Sequence, residues 1–408
     1  TTAYRGPWVK THAGYGVGFT RTAAGHWLVA WEDARSAGAD AVLTDIYARV
    51  STDDGVTWGA EQRVDRDPPG ASESRLMPAV TSTGADDLFV GYRDRRDEDG
   101  TRWNVYANRS PALPVDFSSN ERRVDQDSFT DSYFGNLRTS YFNDSAVTTD
   151  GASHVYVAIN RTVAGPRSDI YVAASSDRGK TFPVLRRVST HAAGTADCTD
   201  PQINAYPDGT VYVAFLIKSA TGTSLVFNRS RDFGQTWMTT QHVVGSATSW
   251  DYDWGTFRLV SQSNGNIYLV WSDQATVFLS RSTDGGDTFS TQDIDQDNRG
   301  VNFNPALCAQ GDKVFAVFAS LNDTGEYWSV FAVVSQDRGT SWGTRTQLRP
   351  EAAYAYACDT DVACDGTSAA LAVWYDDREG GLHSSRYDGS SWQPDSFINT
   401  PATYSLAW

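Results

Sequence analysis

The chain is short of lysine, of methionine and of long apolar runs. Across 408 residues it has 2 Met and only 4 Lys, against 30 Arg. No apolar run approaches the ~18 residues of a membrane helix, so a helical membrane span is excluded. Excess positive charge is lacking too. The formal net charge is −16, which leaves no broad basic surface and removes nucleic acid as an expected partner. No segment carries the apolar period of an amphipathic helix. None of the 4 cysteines forms a Cys-x-x-Cys pair, which argues against a zinc ribbon. Four cysteines permit zero to two disulfides. No motif calls for a cofactor, and none is expected to be required. The chain opens Thr1-Thr2-Ala3, without Met or an apolar leader. That start reads as the mature form of a secreted, extracellular protein whose signal has been removed, or as a trimmed chain.

Aromatic residues are abundant, with 14 Trp, 19 Tyr and 18 Phe. They favour strands and aromatic-lined clefts over helices. A hydrophobic content of 40% excludes a disordered chain. One pattern recurs: Ser-x-Asp-x-Gly-x-Thr/Ser-Trp/Phe. It appears at Ser51 to Trp58, Ser175 to Phe182, Ser230 to Trp237, Ser282 to Phe289 and Ser335 to Trp342. Degenerate copies fill the remaining places at Ser110 to Phe117 and Ser385 to Trp392. The closing aromatics are spaced 50–65 residues apart. Asp and Gly suit a tight turn, because the carboxylate accepts from backbone N–H groups and Gly takes a positive φ. Asp53, Asp177, Asp232, Asp284 and Asp337 are therefore read as structural. Between the copies run short strands rich in Val, Tyr and Phe, bounded by Gly, Asp and Pro. Four strands per copy, seven times over, predict an all-β, seven-bladed β-propeller of four-stranded antiparallel blades. A six-bladed form is the runner-up. One such propeller uses residues 1–408 as a single domain, expected to be a monomer.

In this arrangement the repeated turns lie on one face. The loops joining second to third strands, and those joining blades, emerge on the other. Arg, Asp and aromatic side chains gather there: Arg5, Arg35, Arg75, Asp40, Asp94, Asp200, Tyr354, Tyr356 and Arg378, with Trp250 and Trp254 as a wall. Arg clamps carboxylates in a bidentate fork, paired carboxylates serve acid/base work at sugars, and aromatic faces stack on sugar rings. The partner this chemistry fits is an acidic glycan or polysaccharide. Asp-x-Asp pairs at Asp65, Asp125, Asp251, Asp295 and Asp359 are candidates for a structural Ca²⁺, or else cap turns. Aligned first strands put Cys308 and Cys364 at equivalent positions of neighbouring blades, close enough for a disulfide.

The five turn motifs resemble the Asp-boxes (BNR repeats) of the sialidase/neuraminidase superfamily. The first 58 residues add Arg5-Gly-Pro7, a strand ending Glu32-Asp-Ala-Arg35, then Asp40 and Asp45-Ile ahead of the first box. The resemblance implies that Arg5 and Arg35 bind a substrate carboxylate and that Asp40 falls near the acid/base. It implies that Asp200-Pro-Gln supplies the carboxylate beside a nucleophilic Tyr, and that Tyr354 or Tyr356 is that Tyr. The second family arginine should follow Asp200 by about fifteen residues; near that place this chain has only Lys218. Three readings stay open: a sialidase-like exo-glycosidase on an acidic sugar, a polysaccharide lyase on uronic-acid polymers with His191 and Tyr141 as candidate bases, and a non-catalytic sugar- or surface-binding propeller.

Overall fold

The structure is a computed structural model. It describes residues 17–33, 44–66, 75–84, 86–94, 96, 104–125, 132–133, 146–164, 167–193, 195–219, 222–247, 257–273, 275–296, 302–321, 328–349, 357–366, 368–376 and 381–398. The described residues are all-β. They form seven antiparallel sheets, each with four strands in sequence order, which are the seven blades of a β-propeller. Blade three carries one extra short strand, Ser132–Tyr133, paired beside Asn160 and Arg161. Among the described residues no helix is long and apolar enough to cross a membrane. The chain divides into two compact units, and the boundary falls inside blade four, near Val243 and Val244.

Strand alternation puts buried apolar rows on the blade faces, so within each unit the core lies between consecutive blades. In the first unit, Ala79, Phe89 and Val105 of blade two pack with Val155, Val157 and Phe182 of blade three. On the other face of blade three, Tyr156, Ala158 and Ile170 pack with Cys198, Val211 and Val213 of blade four. In the second unit, Phe315 and Val330 of blade six pack with Val362 and Trp374 of blade seven. A disulfide joins Cys308 to Cys364, tying the first strands of these two blades across 56 residues of sequence.

The five Asp-boxes have nearly one geometry. In blade three the Asp177 carboxylate accepts from Thr181 N at 2.8 Å, Thr181 Oγ1 at 2.7 Å and Ser175 Oγ at 2.7 Å. Ser175 Oγ in turn accepts from Gly179 N at 2.8 Å. Two successive residues after each Asp take positive φ, such as Arg178 (62°) and Gly179 (78°), or Phe233 (59°) and Gly234 (79°). The first of the pair then bonds the turn between the first and second strands of its own blade. Arg178 N reaches Ser153 O at 2.8 Å, Phe233 N reaches Gly209 O at 2.9 Å, and Arg338 N reaches Asp312 O at 2.7 Å. The second must be Gly for a further reason. A Cβ on Gly179 would sit 2.7 Å from Phe89, and one on Gly339 would sit 2.8 Å from Leu279, both on the preceding blade.

The opposite end of the blades has its own repeated device. Asp65, Asp125 and Asp295 each accept from the backbone N–H near the start of the third strand, at Ile46, Val105 and Val277. In blades one and two an Arg two residues earlier holds the carboxylate, Arg63 and Arg123 respectively. Blade five has Asp293 in that place. There burial, then the neighbouring carboxyl, pushes Asp295 up to about 7. The second Asp of each of these pairs lies outside the described residues, as do Asp251 and Asp253.

Two outcomes follow. Gly179→Ala should lower the melting temperature more than Gly55→Ala, whose added Cβ meets nothing within 4 Å; thermal denaturation compares the two. Hydrogen bonds from Ser341 and Ser335 hold the Asp337 carboxyl down, from 3.8 to about 2, and its four counterparts are also lowered. A carboxylate depressed in the folded state stabilises fully above its unfolded value and loses that contribution as pH falls through its folded value. The melting temperature should therefore drop as pH falls from about 4 toward 2, and less steeply in Asp337→Asn.

Candidate functional site

Four first strands are bulged at one equivalent place near the end away from the boxes. The irregularities fall between Leu76 and Ala79, Thr199 and Gln202, Phe303 and Ala306, and Cys358 and Asp361. Each inserts residues that the second strand does not pair: Met77-Pro78, Asp200-Pro201, Asn304-Pro305 and Asp359-Thr360. Proline has no N–H to give a ladder, so three of the four sequences favour the break. Asp200 and Asn304 take positive φ there, 56° and 50°. Bulges re-aim side chains and recur beside active sites. In the second unit the Thr360 hydroxyl donates to the Asn304 carbonyl, so the bulges of blades six and seven are bonded together.

In blade four the bulge gathers charge. Lys218 pairs in register with Asp197 and is only 7% exposed. Burial pulls its pKa down, and the Asp200 and Asp197 carboxylates pull it back up. Asp197 also accepts from Ser168 Oγ at 2.7 Å. Thr199, in the same strand, has a buried hydroxyl with no hydrogen-bond partner among the described residues. In the second strand of blade three the Asn160 amide is fully buried and likewise has none there for either atom. Buried polar atoms left open in a folded protein call for an explanation, such as an unseen ligand or water.

In blade two, Arg75 and Asp94 are register partners of the first and second strands. The Asp94 side chain is fully buried and accepts from Arg96 N at 2.8 Å and Arg96 Nε at 2.8 Å. Arg96 continues to Glu121 at 2.6 Å, and Glu121 accepts from the buried Tyr92 hydroxyl. Burial and then the Glu121 charge push the Tyr92 pKa well above its usual value, so this Tyr stays protonated. Asp376, beside the expected Arg378, is held by Arg349 Nε at 2.7 Å.

His191 lies in the link between blades three and four. Its Nε2 is 3.0 Å from Asp169 Oδ1, and the Cys198 sulfur is nearby. Burial pushes the Cys198 thiol well above its usual pKa, and the charges of Asp169 and Asp197 add to the rise. It is therefore no thiolate nucleophile near neutral pH. Arg5, Arg35, Asp40, Tyr354, Tyr356, Trp250, Trp254, Arg378 and Tyr141 lie outside the described residues. The bulges, the open amide of Asn160 and the Asp169–His191 pair were missed from sequence. The x-Pro step shared by Met77-Pro78, Asp200-Pro201 and Asn304-Pro305 was the available signal.

The family model for the BNR repeat-like domain matches residues 131–358. No curated protein matches the chain. Among solved structures, an ulvan lyase of polysaccharide lyase family PL25 is similar at a TM-score of 0.54 and 10% identity, over 88% of this chain and 91% of that one. The Hadza microbial sialidase Hz136 is similar at a TM-score of 0.45 and 16% identity, over 81% and 71%. The NanB sialidase from Streptococcus pneumoniae is similar at 0.46 and 11%, over 92% and 67%. At these identities the likeness is one of fold.

Asp94→Ala should cost on the order of 3–5 kcal/mol, because it leaves the partly buried Arg96 with one carboxylate fewer. Chemical denaturation measures this. A variant as stable as the wild type would show that Asp94 has no structural role.

Proposed function

The chain belongs to the BNR repeat-like family, and from that footing we propose that it is a carbohydrate-active propeller, a secreted, sialidase-like exo-glycosidase on an acidic sugar. The observation that carries this reading is Lys218. It is a buried cation at the bulged end of blade four, beside Asp197 and Asp200. It is the one cation near the place, about fifteen residues past Asp200, where the superfamily resemblance calls for a carboxylate-binding arginine that this chain lacks. An ammonium is a compact point charge that can meet a sugar carboxylate, though without the bidentate fork of Arg. The disulfide between Cys308 and Cys364 supports an oxidising, extracellular setting.

In this proposal Arg5, Arg35 and Lys218 hold the sugar carboxylate, while Trp250 and Trp254 pack on its ring. The Tyr356 or Tyr354 oxygen attacks the anomeric carbon and passes its proton to Asp200. Asp40 protonates the leaving glycosidic oxygen as that bond breaks. Water then attacks the glycosyl–tyrosine bond, with Asp40 taking the water's proton and the tyrosine oxygen regaining one from Asp200. A Tyr nucleophile is an established exception among glycosidases.

The test is an activity screen of the wild type on sialosides, reading released sugar, and on uronic-acid polysaccharides, reading unsaturated product. Release of an acidic sugar is expected. Tyr356→Phe should abolish turnover and spare binding. Lys218→Met should weaken binding of the acidic sugar by roughly 2–5 kcal/mol, with little change for a neutral one. Unsaturated product would replace this reading with a lyase. Binding without turnover would replace it with a lectin. Full activity in both Tyr356→Phe and Tyr354→Phe would end the tyrosine mechanism.

A further inference from the structure

Among the described residues, Asp169, His191 and Cys198 offer a carboxylate oxygen, a ring nitrogen and a sulfur that all lie within 4.8 Å of one another. Asp169 sits near the start of blade three's third strand, Arg167–Ser175. Cys198 sits in blade four's first strand, Asp197–Ala205. His191 is in the link between the blades. All three belong to the first compact unit.

The carboxylate is divided in its duties. Asp169 Oδ1 accepts from Arg187 Nη2 at 2.7 Å, from Ser189 Oγ at 3.0 Å, and meets His191 Nε2 at 3.0 Å. Among the described residues Asp169 Oδ2 has no hydrogen-bond partner, although the side chain is only 1% exposed. Leaving such an oxygen dry and open is costly. Blade one shows what the plain structural version looks like, with Arg63 Nη2 on Asp45 Oδ1 at 3.0 Å and Asp65 completing the set. Blade three keeps the Arg–Asp pair, exchanges the second Asp for Ser189, and adds a His and a Cys.

A Cys–His–Asp nucleophile is the competing use of these groups, and the geometry opposes it. The Cys198 sulfur is 3.9 Å from His191 Nδ1 and 3.8 Å from Nε2, so it favours neither nitrogen. Nε2 is already turned to Asp169. A general base needs one nitrogen aimed at the sulfur within hydrogen-bond reach. Three ligands around a tetrahedral ion need something else, namely spacing. Bonds of about 2.0–2.3 Å put sulfur and nitrogen about 3.6 Å apart, and nitrogen and oxygen about 3.4 Å apart. The observed sulfur–nitrogen distance of 3.8 Å is within a few tenths of an ångström of the first value, and the three donor atoms all lie within 4.8 Å of one another.

We propose that Asp169, His191 and Cys198 bind one divalent transition metal ion, with zinc the best match to a mixed oxygen, nitrogen and sulfur donor set. Asp169 ligates through Oδ2, and Arg187 and Ser189 orient it from behind through Oδ1. Three protein ligands leave a fourth position for water. His191, half-buried at 16%, is the side from which an ion can enter. The ion would join blade three to blade four, as the disulfide joins six to seven.

The purified full chain is titrated with Zn²⁺ after chelator treatment, and bound metal is counted by elemental analysis. It is separately titrated with Co²⁺, whose bond to a thiolate gives a charge-transfer band. One ion per chain and a band lost in Cys198→Ser are expected, with affinity down about 10–100-fold in a variant that disturbs orientation, Ser189→Ala, or more in His191→Gln. Zn²⁺ should also slow iodoacetamide labelling of Cys198 in the wild type, read by peptide mass in mild denaturant at a concentration where the metal-free chain is labelled, which needs no variant to fold. A wild type that binds neither ion, a band that persists in Cys198→Ser, or labelling indifferent to Zn²⁺ would each overturn the site.

Discussion

Two consecutive residues with positive φ are the constraint on which the blades depend. A non-glycine residue resists that conformation, yet Asp54, Arg178, Phe233 and Arg338 all adopt it. The box Asp makes it tolerable. Its carboxylate collects the N–H and hydroxyl groups that the turn would otherwise leave pointing at nothing, and the leading Ser collects the glycine N–H. The turn so fixed directs one N–H to the first hairpin of its blade and a bare glycine to the blade before. A motif of eight residues thus closes a hairpin, braces a sheet and sets an interface between sheets.

Between the blades, polar groups complete what apolar packing begins. Asn108 donates to Val64 O of the preceding blade and to Phe117 O of its own box. Asn228 does the same with Val188 O and Met238 O. Ser280 serves this role with Val244 O in the second unit. Each side chain lies just ahead of a box and reaches a carbonyl in, or one residue past, the previous blade's last strand. Register between blades is thereby specified by hydrogen bonds with fixed partners, whereas a purely apolar interface would tolerate sliding.

What could be read from the sequence was what is local. The boxes were legible because every bond that defines them, such as Ser175 to Asp177 to Thr181, closes within a few residues. Even the degenerate copies could be placed, since Phe117 is buried and Trp392 packs with Tyr387. The Cys308–Cys364 pairing was legible because strand alignment brings equivalent positions together. The site was harder. A bulge at Asp200 depends on how two strands fall into register, which the Asp-Pro step suggests but does not fix. Asp169 and Cys198 meet only because blades three and four pack face to face, across 29 residues of sequence.

The glycine contacts also give assembly a direction. Gly179 closes onto Phe89, Gly234 onto Tyr156 and Gly339 onto Leu279, and in each case the receiving surface belongs to the earlier part of the chain. A blade leaving the ribosome therefore finds its docking face already made, while its own face waits for a successor. Synthesis from the N-terminus and docking run the same way. Each newly finished sheet is the template for the next.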